Sequence, residues 1–176
     1  MLTFLNLEAE GFCSIESLHL QLNPTCTILI KAPNGKGKST ILSALVWAIY
    51  GKNLKGVSEV NTWKQVRPKD YKGTKVQVYF QKDSHTYKIV RCQKYDEVLE
   101  DGAKGKDRLI FMKDGDIVDI KGKGKIQDFI NREIGLSYTL FMNSIMFGQG
   151  IKRLIQESNS DKKKIFEEVF DLEFLN

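Results

Sequence analysis

A mixed α/β fold, combining antiparallel strands with helices in one domain, is what this 176-residue sequence predicts. Three observations support it. A short apolar segment, a glycine-rich loop and an apolar helix-like segment follow one another between residues 25 and 50. Two pairs of strand-like segments come next, and the last third has helical periodicity. Hydrophobic residues make up 41% of the chain, which is enough to form a core.

The N-terminal part of the chain predicts strands and then a buried helix. Met1–Glu10 and Ser17–Leu22 alternate apolar and polar residues, as half-buried strands do. Thr25–Lys31 is short and rich in apolar, partly β-branched residues, so it predicts a buried strand. Ser39–Tyr50 is apolar on nearly every side and predicts a helix that is buried all round, with Gly51 as its C-terminal stop.

Two hairpins and three further helices are predicted downstream. The first hairpin pairs Lys75–Phe80 with Thr86–Cys92, and the second pairs Leu109–Met112 with Ile117–Ile120 around Asp114-Gly115. Val57–Tyr71 and the charged segment Glu97–Lys106 are predicted to be loops. The predicted helices are Lys125–Ile134, Ser137–Phe147 and Asp161–Phe170, the last with Ser158 or Ser160 as its N-cap.

The net charge of +5 is unevenly distributed along the chain. Lys52–Lys94 contains eleven Lys and Arg residues against three acids, an excess that could attract a polyanion such as DNA. A solvated surface that keeps the protein soluble explains the same charge, and charge alone favours this second interpretation.

The remaining composition argues against several classes of protein. Cys13, Cys26 and Cys92 lie far apart, so neither a zinc site nor a disulfide framework is indicated. No apolar run is long enough for a membrane span, and Met1–Glu10 lacks the features of a signal peptide. We therefore expect a cytoplasmic protein, in the host cytoplasm if the source is viral.

Residues 32–40, Ala-Pro-Asn-Gly-Lys-Gly-Lys-Ser-Thr, resemble the phosphate-binding motif G-x-x-x-x-G-K-[ST], with Ala32 in place of the first glycine. Backbone N–H groups of such a loop bind phosphate oxygens, the lysine reaches the β- and γ-phosphates, and the following hydroxyl binds Mg²⁺. A predicted strand enters the loop and a predicted helix leaves it, which favours a functional motif over a chance surface loop. The predicted ATP-binding residues are Asn34, Gly35, Lys36, Gly37, Lys38, Ser39 and Thr40, with Ser39 also a ligand of Mg²⁺.

Phosphoryl transfer also requires an acid at the end of an apolar strand, the Walker B residue. Leu109–Asp114 is a poor candidate, because Lys113 interrupts the run and Asp114-Gly115 is typical of a turn. His19 and His85 fall in predicted strands without a catalytic partner pattern, so we expect structural or surface roles. Either the acid lies outside this chain, or the chain binds ATP without cleaving it.

The order of these features resembles the N-terminal segment of the SbcC-like recombination and repair nuclease ATPases of the SMC/ABC group, the phage recombination endonuclease subunit included. The resemblance covers nearly the whole chain. Its matching stretches are residues 10–15 (Glu-Gly-Phe-Cys-Ser-Ile), 33–40, 48–51, 86–91, 147–150 (Phe-Gly-Gln-Gly) and 160–170. Two residues depart from the family pattern: Ala32 replaces a glycine, and Cys13 stands where many relatives carry Arg.

The resemblance implies a P-loop NTPase fold, with residues 1–176 as the N-terminal lobe of an ABC-type ATPase head. The phosphate loop would be residues 32–40 and the Q-loop about residues 147–150. Gln149 would contact Mg²⁺ and position the attacking water, as a catalytic residue. The Walker B acid, signature motif and coiled coil belong to parts of such proteins that are absent here, so we expect no hydrolysis by this chain alone.

The resemblance also implies partners. Heads of this family dimerise around ATP and act with a metal-dependent nuclease subunit on double-stranded DNA ends. Two alternatives share the phosphate loop: an SMC- or RecF-like ATPase that works without a nuclease, and a stand-alone nucleotide-binding regulator that never hydrolyses ATP. A half-head differs from a stand-alone regulator because it should expose apolar surface meant for its missing lobe.

Overall fold

The computed structural model describes residues 1–22, 25–60, 67, 69–146 and 158–169. Its strands are β1 (Leu2–Phe12), β2 (Ile15–Gln21), β3 (Thr74–Lys82), β4 (His85–Gln93), β5 (Tyr95–Val98), β6 (Lys104–Lys106), β7 (Leu109–Lys113) and β8 (Asp116–Ile117). Its helices are α1 (Lys38–Tyr50), α2 (Lys123–Ile134), α3 (Tyr138–Ser144) and α4 (Asn159–Val169). The chain divides into two compact units, Met1–Ile134 and Gly135–Asn176.

The first unit is built on a six-stranded antiparallel sheet with the strand order β2-β1-β3-β4-β7-β8. Both predicted hairpins are present, and the second turns at Asp114-Gly115 as expected. Alternation along β3 buries Val76, Val78 and Phe80 on one face. The mixed α/β fold class is therefore confirmed, with every strand pair antiparallel in the described part of the chain.

One face of the sheet packs against two helices. α1 contacts β1, β3 and β4, and α2 contacts β7 and α1. In α2, Ile130 and Ile134 are buried because their four-residue spacing places them on one side of the helix. Aromatic rings pack between this face of the sheet and the helices. The Phe80 and Tyr87 rings stack with centroids 4.9 Å apart, and the Phe111 and Phe129 centroids are 5.5 Å apart.

The opposite face carries a small ribbon where the sequence predicted only a loop at Glu97–Lys106. β5 and β6 pair there because Tyr95 is buried with Val90, Cys92 and Ile110. An ion pair between Asp101 and Arg108 joins the ribbon to the residues that lead into β7. One aromatic anchor thus orders a segment whose charged composition resembles that of a loop.

The predicted strand Thr25–Lys31 is not observed. This segment has no regular structure, and none of the described strands pairs with it. Ile28, Leu29 and Ile30 have exposed fractions of 40%, 74% and 37%. A strand rich in apolar residues is buried only when neighbouring strands and helices cover it, and the described sheet lies elsewhere.

The second unit contains α3 and α4. Ser137 is the N-cap of α3, and its hydroxyl accepts a hydrogen bond from the Leu140 N–H at 3.2 Å. This helix ends at Ser144, earlier than the predicted Phe147, which lies outside the described residues. Ser158 directly precedes α4, and its carbonyl accepts a hydrogen bond from the Lys162 N–H at 2.9 Å.

Candidate nucleotide site

The predicted phosphate loop leads directly into α1, as the motif requires. Gly37 is the N-cap of α1 and takes a φ of +84°, a left-handed conformation that favours glycine. A Cβ at Gly37 would also lie 3.1 Å from the Ser14 hydroxyl oxygen. The described backbone at Ala32 has no positive φ, so alanine is accommodated where the motif usually has glycine.

The Lys38 side chain folds back over the loop that precedes it. Its Nζ donates hydrogen bonds to the Ala32 carbonyl at 2.7 Å and to the Pro33 carbonyl at 3.0 Å. An ammonium group has three N–H donors, so one remains for a ligand. The charge is thus held against the first residues of the loop by uncharged acceptors.

The start of α1 retains its capacity to bind an anion. α1, whose residues are all described, has no side-chain N-cap and no acid in its first turn. The N–H groups of Thr40 and Ile41 both reach the Gly37 carbonyl, at 3.0 and 3.3 Å. Free N–H groups and the positive end of the helix dipole favour phosphate at such a terminus.

The other predicted ligands lie on the same short segment. Asn34, Gly35, Lys36 and Ser39 are exposed, and Thr40 is half-buried. A Cβ at Gly35 would meet nothing within 4 Å, so the loop opens onto free space there. These residues fit ATP and Mg²⁺ by their chemistry, because one short exposed segment offers backbone donors, an ammonium group and the Ser39 hydroxyl.

The turn between β1 and β2 lies beside this loop. The Phe12 ring packs against Trp47 of α1 at 5.6 Å, and the Cys13 N–H donates to the Val60 carbonyl at 3.1 Å. Burial raises the pKa of the Cys13 thiol, which therefore stays protonated at neutral pH. The next residue, Ser14, donates a hydrogen bond to the Thr40 hydroxyl at 3.5 Å.

A strap formed by Ser58, Glu59 and Val60 connects this turn to the sheet. The Gln93 side chain bonds both sides of it, accepting from the Val60 N–H at 2.9 Å and donating to the Ser58 carbonyl at 3.1 Å. The Trp47 indole N–H donates to the same Ser58 carbonyl at 3.0 Å. Gln93 thus links the end of β4 to the elements around the loop.

The far end of α1 is held by a buried cation that sequence reasoning missed. Arg91 is 5% exposed and donates to the carbonyls of Ala48 at 2.9 Å and Ile49 at 3.1 Å. Its guanidinium also donates to the Gln127 side chain, and Gln127 in turn donates to the Ile49 carbonyl at 2.9 Å. Burial lowers the pKa of Arg91 to about 9, which leaves it charged at neutral pH.

A signal for Arg91 was present in the sequence. It shares the strand parity of the apolar residues Tyr87 and Ile89, so a charge falls at a core-facing position of β4. Buried charges require compensation. Within the described residues no carboxylate pairs with Arg91, and the negative end of the α1 dipole supplies the compensation.

Gln149 and the rest of the predicted Q-loop, residues 147–150, lie outside the described residues. Their predicted role in Mg²⁺ binding and water positioning stays a prediction.

The poor Walker B candidate of the sequence, Asp114, is among the described residues. Asp114 lies in the β7–β8 turn, where its carboxylate accepts from the Thr86 N–H at 2.9 Å and contacts His85 Nδ1 at 2.6 Å.

His19 has a carboxylate partner as well, since its Nδ1 lies 3.2 Å from Glu8. Both histidine–carboxylate pairs are partly exposed, with His19 in β2 and His85 at the first position of β4. Within the described ranges, no group of three or more His, Cys, Asp and Glu side chains could hold a metal ion.

Most of the described cations in Lys52–Lys94 have acceptors close by, so the segment is less positive at the surface than its sequence indicates. Four lysines pair with carboxylates: Lys72 with Glu97 at 3.0 Å, Lys75 with Glu10 at 3.2 Å, Lys94 with Glu59 at 3.1 Å, and Lys88 with Glu100. Lys82 donates to the Glu133 carbonyl at 2.7 Å, and Arg91 is buried. Charge therefore gives little support to a polyanion-binding surface here.

No helix in the part of the chain that the structure describes combines the length and apolar character needed to cross a bilayer.

Comparison with known proteins identifies relatives along nearly the whole chain. A family model described as an AAA domain matches residues 6–174. A probable DNA double-strand break repair Rad50 ATPase from Aquifex aeolicus is 29% identical over 97% of this chain and 17% of its own length. Exonuclease subunit 2 of Escherichia phage RB69 is 25% identical over 88% of this chain and 25% of its own length.

The fold of this chain is also similar to that of a solved structure. It comes from work on ATP-driven dimerization and DNA-stimulated activation of SMC ATPases, and it superimposes with a TM-score of 0.57 at 19% identity. The match covers 95% of this chain and 99% of that one. This chain, in contrast, spans only 17% to 25% of the length of the two curated relatives named above.

Proposed function

This chain belongs to the AAA domain family, and we propose that it is an ATP-binding lobe of a DNA double-strand break repair or recombination ATPase. The observation that carries the proposal is the Lys38 ammonium, held over the loop by the Ala32 and Pro33 carbonyls at the start of α1. This arrangement places a positive charge and free N–H groups where a triphosphate would bind.

The proposed ligand is ATP with Mg²⁺. Backbone N–H groups of residues 34–40 would bind the phosphates, Lys38 would neutralise the β- and γ-phosphates, and the Ser39 hydroxyl would hold the metal ion. Gln149 would complete the metal site. Bound Mg²⁺ would supply charge neutralisation during hydrolysis, while this chain's residues orient the phosphates.

We propose that a second lobe of the same head completes the site. Ile28, Leu29 and Ile30 form an exposed apolar run just before the loop, and no described strand covers it. The curated relatives are four to six times longer than the segment matched here, so they have ample chain for a complementary lobe. A covering strand from that lobe would turn residues 25–31 into a core strand and could deliver the Walker B acid.

The proposed partners follow from the relatives rather than from charge. Exonuclease subunit 2 is named as part of a nuclease, and the solved SMC work concerns dimerization driven by ATP and activation by DNA. We therefore propose a head dimer that acts with a nuclease subunit on DNA ends in the cytoplasm. The exposed run of residues 28–30 argues against the stand-alone regulator, which would need no covering partner.

The test is nucleotide binding by the Lys38→Ala variant, measured by calorimetry with Mg²⁺ present. We expect at least a hundredfold loss of ATP affinity without loss of the fold, because the variant removes the charge that faces the phosphates. Lys31→Ala, an exposed lysine one residue before the loop, is the matched control and should bind ATP as the unmodified chain does.

Phosphate release in the same samples tests the need for a second lobe. We expect no steady-state hydrolysis by this chain. Wild-type ATP affinity in Lys38→Ala would refute the loop assignment. Turnover that persists through purification and disappears in Lys38→Ala would refute the incomplete site.

A further inference from the structure

The β1–β2 turn is fixed against α1 by contacts that do not involve Ser14. Phe12 is fully buried against Trp47, and the Cys13 N–H bonds the Val60 carbonyl. Ser14 itself is exposed. Its hydroxyl is therefore held at a defined place by the two residues that precede it, without being required to hold the turn.

That place is the junction of the phosphate loop and α1. The Ser14 hydroxyl lies 3.5 Å from the Thr40 hydroxyl and 3.1 Å from the position that a Cβ on Gly37 would occupy. A separation of 3.5 Å is long for a bond between hydroxyls, which usually lie about 2.7–2.8 Å apart. The single O–H donor of Ser14 is thus only weakly engaged by Thr40 and can turn to an anionic oxygen of a ligand.

We propose that Ser14 is a further residue of the nucleotide site and that its hydroxyl binds the α-phosphate. This inference rests on the proposed function. Lys38 and Thr40 are separated by about 200° around the helix axis, since each residue turns an α-helix by about 100°. The Lys38 side chain turns towards Ala32 and Pro33, and the lysine of this motif binds the β- and γ-phosphates. A hydroxyl beside Thr40 lies on the other side of the helix start, so we assign it to the remaining phosphate, the α-phosphate.

The α-phosphate assignment gives Ser14 a distinct signature. ATP and ADP share the α-phosphate, so removal of the hydroxyl should weaken both nucleotides by the same factor. A residue that contacts the γ-phosphate would instead discriminate between them. If Ser14 only stabilises the turn, removal of its hydroxyl should lower the melting temperature.

The experiment measures ATP and ADP affinities and the melting temperature of Ser14→Ala, Ser14→Thr and Ser17→Ala. We expect Ser14→Ala to weaken both nucleotides by about three- to tenfold, the value of one hydrogen bond, with the melting temperature unchanged. Ser14→Thr keeps the hydroxyl and should restore most of the affinity. Ser17→Ala, an exposed position on β2, should match the unmodified chain.

Other results would overturn the proposal. Unchanged affinities in Ser14→Ala would remove Ser14 from the site, and a loss confined to ATP would remove it from the α-phosphate. A lower melting temperature with no rescue by Ser14→Thr would make its role structural. Lys38→Ala separates the two hypotheses: if it abolishes binding while Ser14→Ala binds normally, only the inference about Ser14 fails.

Discussion

At its first residues α1 meets an open glycine loop, whereas its last turn is enclosed by side chains from β4 and α2. The first end exposes Ser39 and has no side-chain cap. At the last end, Gly51 caps the helix in a left-handed conformation, and Arg91 and Gln127 bond its final carbonyls. The difference indicates that one end of the helix is built for binding and the other for stability.

The largest effect on stability is expected from removal of the Arg91 guanidinium. Arg91→Met replaces the guanidinium with an apolar side chain, so the Ala48 carbonyl and the Gln127 side-chain oxygen lose the Arg91 donor, while the Ile49 carbonyl keeps only its bond from Gln127. We expect the free energy of unfolding to fall by about 2–4 kcal/mol, measured by urea denaturation. Arg91→Lys keeps the positive charge but not the planar guanidinium. Its free energy of unfolding should lie between those of the unmodified chain and Arg91→Met.

The matched control for Arg91 is Arg132→Met, on the exposed side of α2, where we expect little change. ATP affinity of the folded Arg91→Met protein should stay close to that of the unmodified chain. If the Arg91→Met protein were as stable as the unmodified one, the conclusion that this end of α1 is built for stability would be wrong.

A smaller effect is expected from Gly51→Ala. Gly51 has a φ of +71°, and an added Cβ would lie 3.0 Å from the Arg91 guanidinium. The left-handed conformation alone costs a non-glycine residue about 1–2 kcal/mol. We expect a loss of that order in urea unfolding. Combined with Arg91→Met, the loss should be less than additive, because the second change removes the group that the Cβ crowds. Full additivity would mean that the two residues act independently.

The smallest effect is expected from acid, and it should spare both ends of α1. Hydrogen bonds from the Thr86 backbone and from His85 hold the pKa of Asp114 below its ordinary value of 3.8. A carboxylate with a lowered pKa contributes stability above its unfolded pKa and loses that contribution as the pH falls through the folded value. Stability should therefore decline modestly below about pH 4.

Asp114→Asn should reduce that acid dependence, measured as the slope of unfolding free energy against pH. The contacts at both ends of α1 should persist in acid, since Lys38 and Arg91 bond carbonyl and amide acceptors rather than carboxylates. An acid transition that first releases the end of α1 held by Arg91 would contradict this assignment.

Local patterns predicted the elements whose partners are near in sequence. The two hairpins, α1 and α2 follow from alternation, turn residues and helical periodicity, because neighbouring segments pair with each other. The loop residues Gly37 and Lys38 were predicted from the motif, and the structure places them at the start of α1.

Features that depend on distant partners were harder to predict. Thr25–Lys31 has the composition of a buried strand, but burial requires neighbours that the described sheet does not provide. Tyr95 ordered a ribbon inside a charged segment through a packing contact with β4 and β7. Arg91 bonds the carbonyls of a helix more than forty positions earlier in the chain. The periodicity of β4 shows that Arg91 faces the core, but it does not identify those partners.

The surroundings of Trp47 give the chain an intrinsic optical reporter. The indole is 2% exposed, its N–H donates to the Ser58 carbonyl, and its ring lies 5.6 Å from the Phe12 ring and 5.9 Å from the Arg91 guanidinium. The sequence has two tryptophans, and replacing Trp63 by Phe would leave Trp47 as the single emitter. Its emission spectrum and quenching would then follow opening of the enclosed end of α1 in real time, without any attached dye.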